Sequence, residues 1–246
     1  MQFLYHVAIE MRGLELSRKN CYFVVVKNLF MATRLVIFDL DGTLLDTIGD
    51  LAVSCNHILE QFGHPIHATD DYRMFVGNGI AKLVERALPM ECRAPEYVER
   101  VRVAFVEYYK AHIADYTQPY DGVSQLIDEL CARGVQVAVA SNKFHEGTCS
   151  LVDKFFGLEN FVAVYGQRAG VPIKPDPMVV NEILRDVGVM REEVLYVGDS
   201  GVDMRTAAAA GVRSVGVTWG FRSREELVEM GADYLADRAE EILNLL

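Results

Sequence analysis

From Val123 to the C-terminus, helical and strand patterns alternate with little chain between them, and nothing else limits the fold as tightly. The periodicity predicts helices at 123–133, 145–156, 177–187, 202–210, 224–229 and 238–245, with strands at 135–140, near 161–165, and at 194–198, 213–217 and 233–235. Gly134, Gly188 and Gly211 fall where helices should end. Strands that alternate with helices imply a parallel sheet covered on both faces.

A further strand stands well ahead of this series. The run Val36-Ile37-Phe38 ends in Asp39-Leu40-Asp41 and breaks at Gly42. Side chains alternate across a strand, so the two acids share a face only if the chain stays extended through Leu40. The glycine favours an exit from the strand instead, which puts both acids at its carboxyl end, where open α/β sheets bind ligands. Two acids there suit a hard cation, a nucleophile with its general acid, or both; the plain alternative is an Asp-Gly turn. Val194 to Val197 repeats the design with Gly198-Asp199-Ser200 and Asp203. Val135 to Ala140 ends in Ser141-Asn142, a strand-to-helix junction whose N–H groups suit an anion and whose hydroxyl could equally cap the next helix. Lys174 lies between Pro172 and Pro175, which hold it in a stiff extended stretch.

Between the acid pair and the strand at 135 lie some ninety residues without a convincing strand. Leu51, Cys55, Ile58, Leu59 and Phe62 make one face of a helix over 50–62. Thr69 is read as the cap of a short helix through Phe75, and 80–88 and 95–113 are also helical. This stretch is too long for a loop. The expected division is therefore an α/β core from residues 31–46 and 116–246, a helical cap from 47–115, and a mis-assigned or dispensable extension over 1–30. Gly77-Asn78-Gly79 precedes the 80–88 helix, where it is either an inter-helix turn or a place where backbone approaches an anion such as a substrate carboxylate.

Composition closes off other classes. A net charge of −11 argues against a nucleic-acid partner. The five cysteines are scattered and form no CxxC pair, so neither a zinc site nor a disulfide framework is expected. The short apolar run at 22–26 is bracketed by Arg18, Lys19 and Lys27 and makes neither a membrane span nor a signal peptide. A reducing cytoplasm is the expected location.

Acid pair, hydroxyl, lysine and second acid cluster, in that order, resemble the haloacid dehalogenase superfamily of phosphohydrolases. Its four motifs match Asp39-Leu40-Asp41-Gly42-Thr43, Ser141, Lys174, and Gly198-Asp199 with Asp203, and the similarity covers about residues 33–246. Val76-Gly77-Asn78-Gly79, Ile173 to Pro177 and Ser214 to Gly220 are most similar to phosphoglycolate phosphatases and their close relatives. The resemblance implies a Rossmann-like core with an inserted all-helical cap. It implies Asp39 as nucleophile, Asp41 as general acid and base, and Ser141 and Lys174 at the transferring phosphoryl group. Mg²⁺ would be held by Asp39, Asp199 and the backbone carbonyl of Asp41, with Asp203, Asn142 and Thr43 in support. The implied substrate is a small phosphorylated metabolite, 2-phosphoglycolate foremost, with no nucleic acid or membrane partner. A sugar-phosphate mutase, a pyrophosphatase of the same superfamily and a catalytically silent binding module are the alternatives.

Overall fold

The computed structural model describes residues 32–246, so the extension expected over 1–30 lies outside the described residues. Six strands form the main sheet: β1 (Leu35–Phe38), β4 (Gln136–Phe144), β5 (Ala163–Gln167), β6 (Val194–Gly198), β7 (Arg213–Val217) and β8 (Tyr234–Ala236). They lie in the order β5-β4-β1-β6-β7-β8, and every neighbouring pair is parallel. The chain therefore builds outward from β1 in one direction and then in the other. The reversal opens a crevice at the carboxyl ends of the central strands.

The core follows from the composition of β1. Leu35 and Ile37 pack with Val180, Ile183 and Ala207 from helices α7 (Met178–Val187) and α8 (Gly201–Ala210). Val36 and Phe38 face the other way, into Leu126, Ile127, Leu151 and Val152 from α5 (Val123–Ala132) and α6 (His145–Phe156). A strand buried on both faces has to be apolar throughout, which is why this run shows no alternation in its sequence.

Residues 48–111 form a helical block of α1 (Ile48–Gln61), α2 (Tyr72–Phe75), α3 (Ile80–Ala87) and α4 (Pro95–Ala111). Leu51, Cys55, Ile58 and Leu59 of α1 join Val101, Phe105 and Tyr109 of α4 in its own apolar cluster. A two-residue ribbon, β2 (Leu45–Asp46) antiparallel to β3 (Gln118–Pro119), ties together the chain entering and leaving this block. Strands this short carry no readable period, so the sequence did not reveal them. Among the described residues, no helix is long and apolar enough to cross a membrane.

Three local expectations need correction. The strand predicted at 135–140 runs on to Phe144 through a register shift after Ala140. Ser141 and Asn142 therefore belong to an irregular strand end, and Phe144, not Ser141, occupies the cap position of α6. Thr69 is not a cap: Thr69–Asp71 is itself a 3₁₀ turn, closed by the Asp71 carboxylate accepting the Ala68 N–H at 3.1 Å. The last segment, Ala239–Leu245, is 3₁₀ rather than α. Its buried residues, Ala239 and Ile242, are three apart, the spacing that a 3₁₀ turn aligns on one face.

Candidate active site

The acid loop begins as soon as β1 ends. Asp39 N–H donates to the Val197 carbonyl at 2.9 Å, the last sheet contact before the chain turns. The amides of Thr43, Leu44 and Leu45 all point to the Leu40 carbonyl, which curls the loop around Gly42. Gly42 has φ +85°, and a Cβ there would lie 2.3 Å from Asp199 Oδ2. Glycine is required on both counts. Asp199 leaves the adjacent strand β6 and is gripped from behind by the Phe221 N–H at 2.7 Å, with Thr43 Oγ1 at 3.5 Å. Asp39, Asp199 and Asp203 bring carboxylate oxygens within 4.8 Å of one another.

Lys174 stands in the middle of this group, almost fully buried. Its ammonium lies 2.9 Å from Asp39 Oδ1, 2.7 Å from Asp203 Oδ1 and 3.2 Å from the Tyr196 hydroxyl. Three N–H donors thus meet three oxygens. Asp203 is at once a first-turn acid of α8 and the partner of Lys174; its other oxygen accepts the Ser200 N–H at 3.2 Å and the Ser200 hydroxyl at 2.6 Å. Asn142 sets the lysine loop by its backbone. Its Oδ1 accepts the Lys174 N–H at 2.8 Å, and its Nδ2 donates to the carbonyls of Lys174 at 3.1 Å and Gly77 at 3.0 Å.

A second buried lysine escaped the sequence reading. Lys143 Nζ lies 3.1 and 3.4 Å from the two oxygens of Asp41 and 2.6 Å from the hydroxyl of Tyr109, a residue of α4. The signal was available, because Ser141 and Lys143 are two apart in extended chain and so share a face. Ending the strand at Ala140 hid it. Tyr109, Tyr196 and Arg222 were also missed. The first two are aromatic residues in apolar runs, and Arg222 lies in a loop without a pattern.

Beside these groups lies a cleft of about 40 Å³ between the strand ends and the helical block. Asp39, Asp41, Ser141 and Asp199 line it, as do Gly77 and Gly79 of the block. Asn78 instead accepts a hydrogen bond from Arg86 at 2.8 Å. Arg222 seals one side, donating to the carbonyls of Arg73 and of Val76, the latter at 2.9 Å.

The electrostatics are unbalanced. Four carboxylates, Asp39, Asp41, Asp199 and Asp203, face two ammonium groups, Lys143 and Lys174. Burial pushes the Asp39 carboxyl up to about 7; Lys174 pulls against this and the charge of Asp203 adds to it. Burial, with Asp203 and Asp39 nearby, likewise holds Asp199 well above the carboxylate range. Burial alone would pull the Lys174 ammonium down, but Asp203 and Asp39 more than offset it and hold the group well above its ordinary value. With all four carboxylates ionised the site would carry two more negative charges than its ammonium groups offset. This excess, the hard oxygen donors and the close wall of Gly42 and Gly220 against Asp199 fit a small divalent cation such as Mg²⁺.

The wider comparisons agree with this architecture. The haloacid dehalogenase-like hydrolase family matches residues 36–217, and the chain belongs to that family. Among similar proteins, the phosphoglycolate phosphatase of Mesorhizobium japonicum is 34% identical over 198 residues, 79% of this chain and 86% of that one. The phosphoglycolate phosphatase of Caulobacter vibrioides is 35% identical over 80% of this chain and 84% of its own. A crystal structure of a candidate phosphoglycolate phosphatase from Lactobacillus delbrueckii subsp. bulgaricus superposes with a TM-score of 0.82 at 33% identity, covering 87% of this chain and 98% of that chain.

Proposed function

We propose that this hydrolase is a Mg²⁺-dependent phosphomonoesterase acting on 2-phosphoglycolate through an aspartyl-phosphate, with the helical block as its cap. The observation that carries the reading is Asp39 itself, a buried carboxylate at the sheet's topological switch point, with Lys174 on one oxygen and Asp199 beside it. The relatives' shared name supplies the substrate.

Asp39 attacks phosphorus, a P–O bond forms to its carboxylate, and the bond from phosphorus to the ester oxygen breaks. Asp41 gives its proton to that departing oxygen. It then takes a proton from the water that attacks the acyl phosphate, releasing inorganic phosphate and restoring Asp39. Ser141, which is buried and lines the cleft, donates its hydroxyl to a phosphate oxygen. Lys174 neutralises charge on Asp39 and on the transferred group. Asp39, Asp199 and the Asp41 carbonyl would hold Mg²⁺, which supplies further charge neutralisation at the phosphate oxygens.

The test is release of inorganic phosphate from a panel of phosphoesters with and without Mg²⁺, alongside Asp39→Asn. Turnover of 2-phosphoglycolate should require Mg²⁺ and fall by at least about 10⁴-fold in the variant, a loss typical of removing a nucleophile, with circular dichroism unchanged. Near wild-type turnover by the variant would sink the nucleophile assignment. A sugar phosphate converted without phosphate release would instead identify a mutase.

A further inference from the structure

We propose that Lys143 determines substrate specificity: its ammonium takes the carboxylate of an α-carboxylated phosphomonoester while Asp41 serves the neighbouring ester oxygen. The inference rests on the phosphatase reading and narrows it to substrates with an anion one carbon from that oxygen.

Donor arithmetic comes first. A lysine ammonium has three N–H donors. Here one bonds Tyr109 and one is shared by the two oxygens of Asp41, which leaves a third on a side chain that lines the cleft and is only 4% exposed. Among the described residues lining the cleft, Lys143 and Arg222 are the cationic ones. The Arg222 guanidinium is engaged by the carbonyls of Arg73 and Val76 and by Glu226 at 3.6 Å. At most three of its five N–H donors are used there, so both cations have a donor to give, and what singles out Lys143 is its place beside Asp41.

Its placement then selects the ligand. A general acid must come within hydrogen-bond reach of the ester oxygen. Lys143 Nζ is 3.1 Å from that acid's Oδ1. In an α-carboxylated ester the carboxylate carbon is two bonds from the ester oxygen, so its oxygens fall beside the ammonium when the ester oxygen meets Asp41. Leu51, Ile80 and Leu83 of the block also line the cleft and offer a longer polar substituent no partner there. Tyr109 fixes the ammonium through its hydroxyl and through its ring, whose centroid lies 4.7 Å away, and Tyr109 is itself held by stacking on Phe105. A donor so held discriminates strongly against a ligand that offers it no acceptor.

The experiment compares kcat/KM for 2-phosphoglycolate and for 2-hydroxyethyl phosphate, in which CH₂OH replaces the carboxylate, using the Mg²⁺-loaded enzyme. Wild type should favour the carboxylate by about 100-fold or more. K143M should slow both substrates yet shrink the preference to within about tenfold, mostly through a higher KM for 2-phosphoglycolate. Y109F, which keeps the packing and removes only the hydroxyl, should give an intermediate preference and carries the test alone if K143M fails to fold. A preference kept intact while both rates fall would overturn the inference and leave Lys143 serving Asp41 only. A wild type with no preference would overturn it too, with the phosphatase reading standing. Failure to release phosphate from either compound, or from any phosphoester, would remove both.

Discussion

The site has two buried lysines, and they are built differently. Lys174 is anchored wholly within the α/β core, by Asp39 after β1, Tyr196 in β6 and Asp203 in α8. Lys143 is shared, with Asp41 from the core on one side and Tyr109 from the helical block on the other. The first arrangement persists as long as the sheet does. The second exists only while the block sits against the strand ends. One side of the cleft is thus a fixed charge environment for the nucleophile, and the other depends on the position of the block.

The strongest way to break this comparison is Lys174→Met. It strips the buried carboxylates Asp39 and Asp203 of their shared cation, so stability should fall by about 3–5 kcal/mol and turnover by about 10²–10³-fold. Chemical denaturation and phosphate release measure the two. K143M deprives one carboxylate, Asp41, of its cation, whereas Lys174 also serves the fully buried Asp203, so K143M should be destabilised less. A larger stability loss in K143M than in Lys174→Met would reverse the assignment of fixed and dependent sides.

A pH series sharpens the core half. The folded pKa of Asp39, about 7, lies above its unfolded value near 3.9. The stability linked to this group is full below the unfolded value and is lost as pH rises through about 7. Without metal, the thermal midpoint should therefore decline between about pH 4 and pH 7, by less in Asp39→Asn, and added Mg²⁺ should reduce the decline because it binds the ionised form. An identical slope in wild type and variant would remove Asp39 as its source.

The smallest effect concerns the seam between the two regions. Asp50, in the first turn of α1, is buried and accepts the N–H groups of Tyr116 at 2.9 Å and Thr117 at 2.8 Å and the Thr117 hydroxyl at 2.6 Å. It ties the start of the block to the chain leaving it. Asp50→Ala should lower stability by about 2 kcal/mol, read by urea unfolding, because buried donors lose their acceptor. No measurable change would mean that the ribbon alone holds the seam.

Much of the core was legible in advance. β6, β7, α6 and α9 (Arg224–Glu229) fall on the predicted residues, the strands because they are largely apolar runs and the helices because Gly157 ends one and Ser223 caps the other. The end of β4 was not, since a register shift leaves no trace in composition. Its loss hid Lys143. Gly77 and Gly79 were singled out for their backbone freedom, and the structure sets them at the cleft; Asn78, named with them, is held by Arg86 instead. The difference is that backbone geometry is written into residue type, whereas a polar side chain's partner depends on what folds beside it.

Local pattern along the chain is enough to dictate the parallel sheet and the identity of the acids at its carboxyl ends. Apolar periodicity, glycine positions and short-range spacing are local properties of a chain. Which charges meet depends instead on the packed fold. Lys143 and Asp41 are 102 residues apart, and Lys143 and Tyr109 are 34 apart. Contacts at such separations come from strand order and helix packing, and no local pattern encodes them.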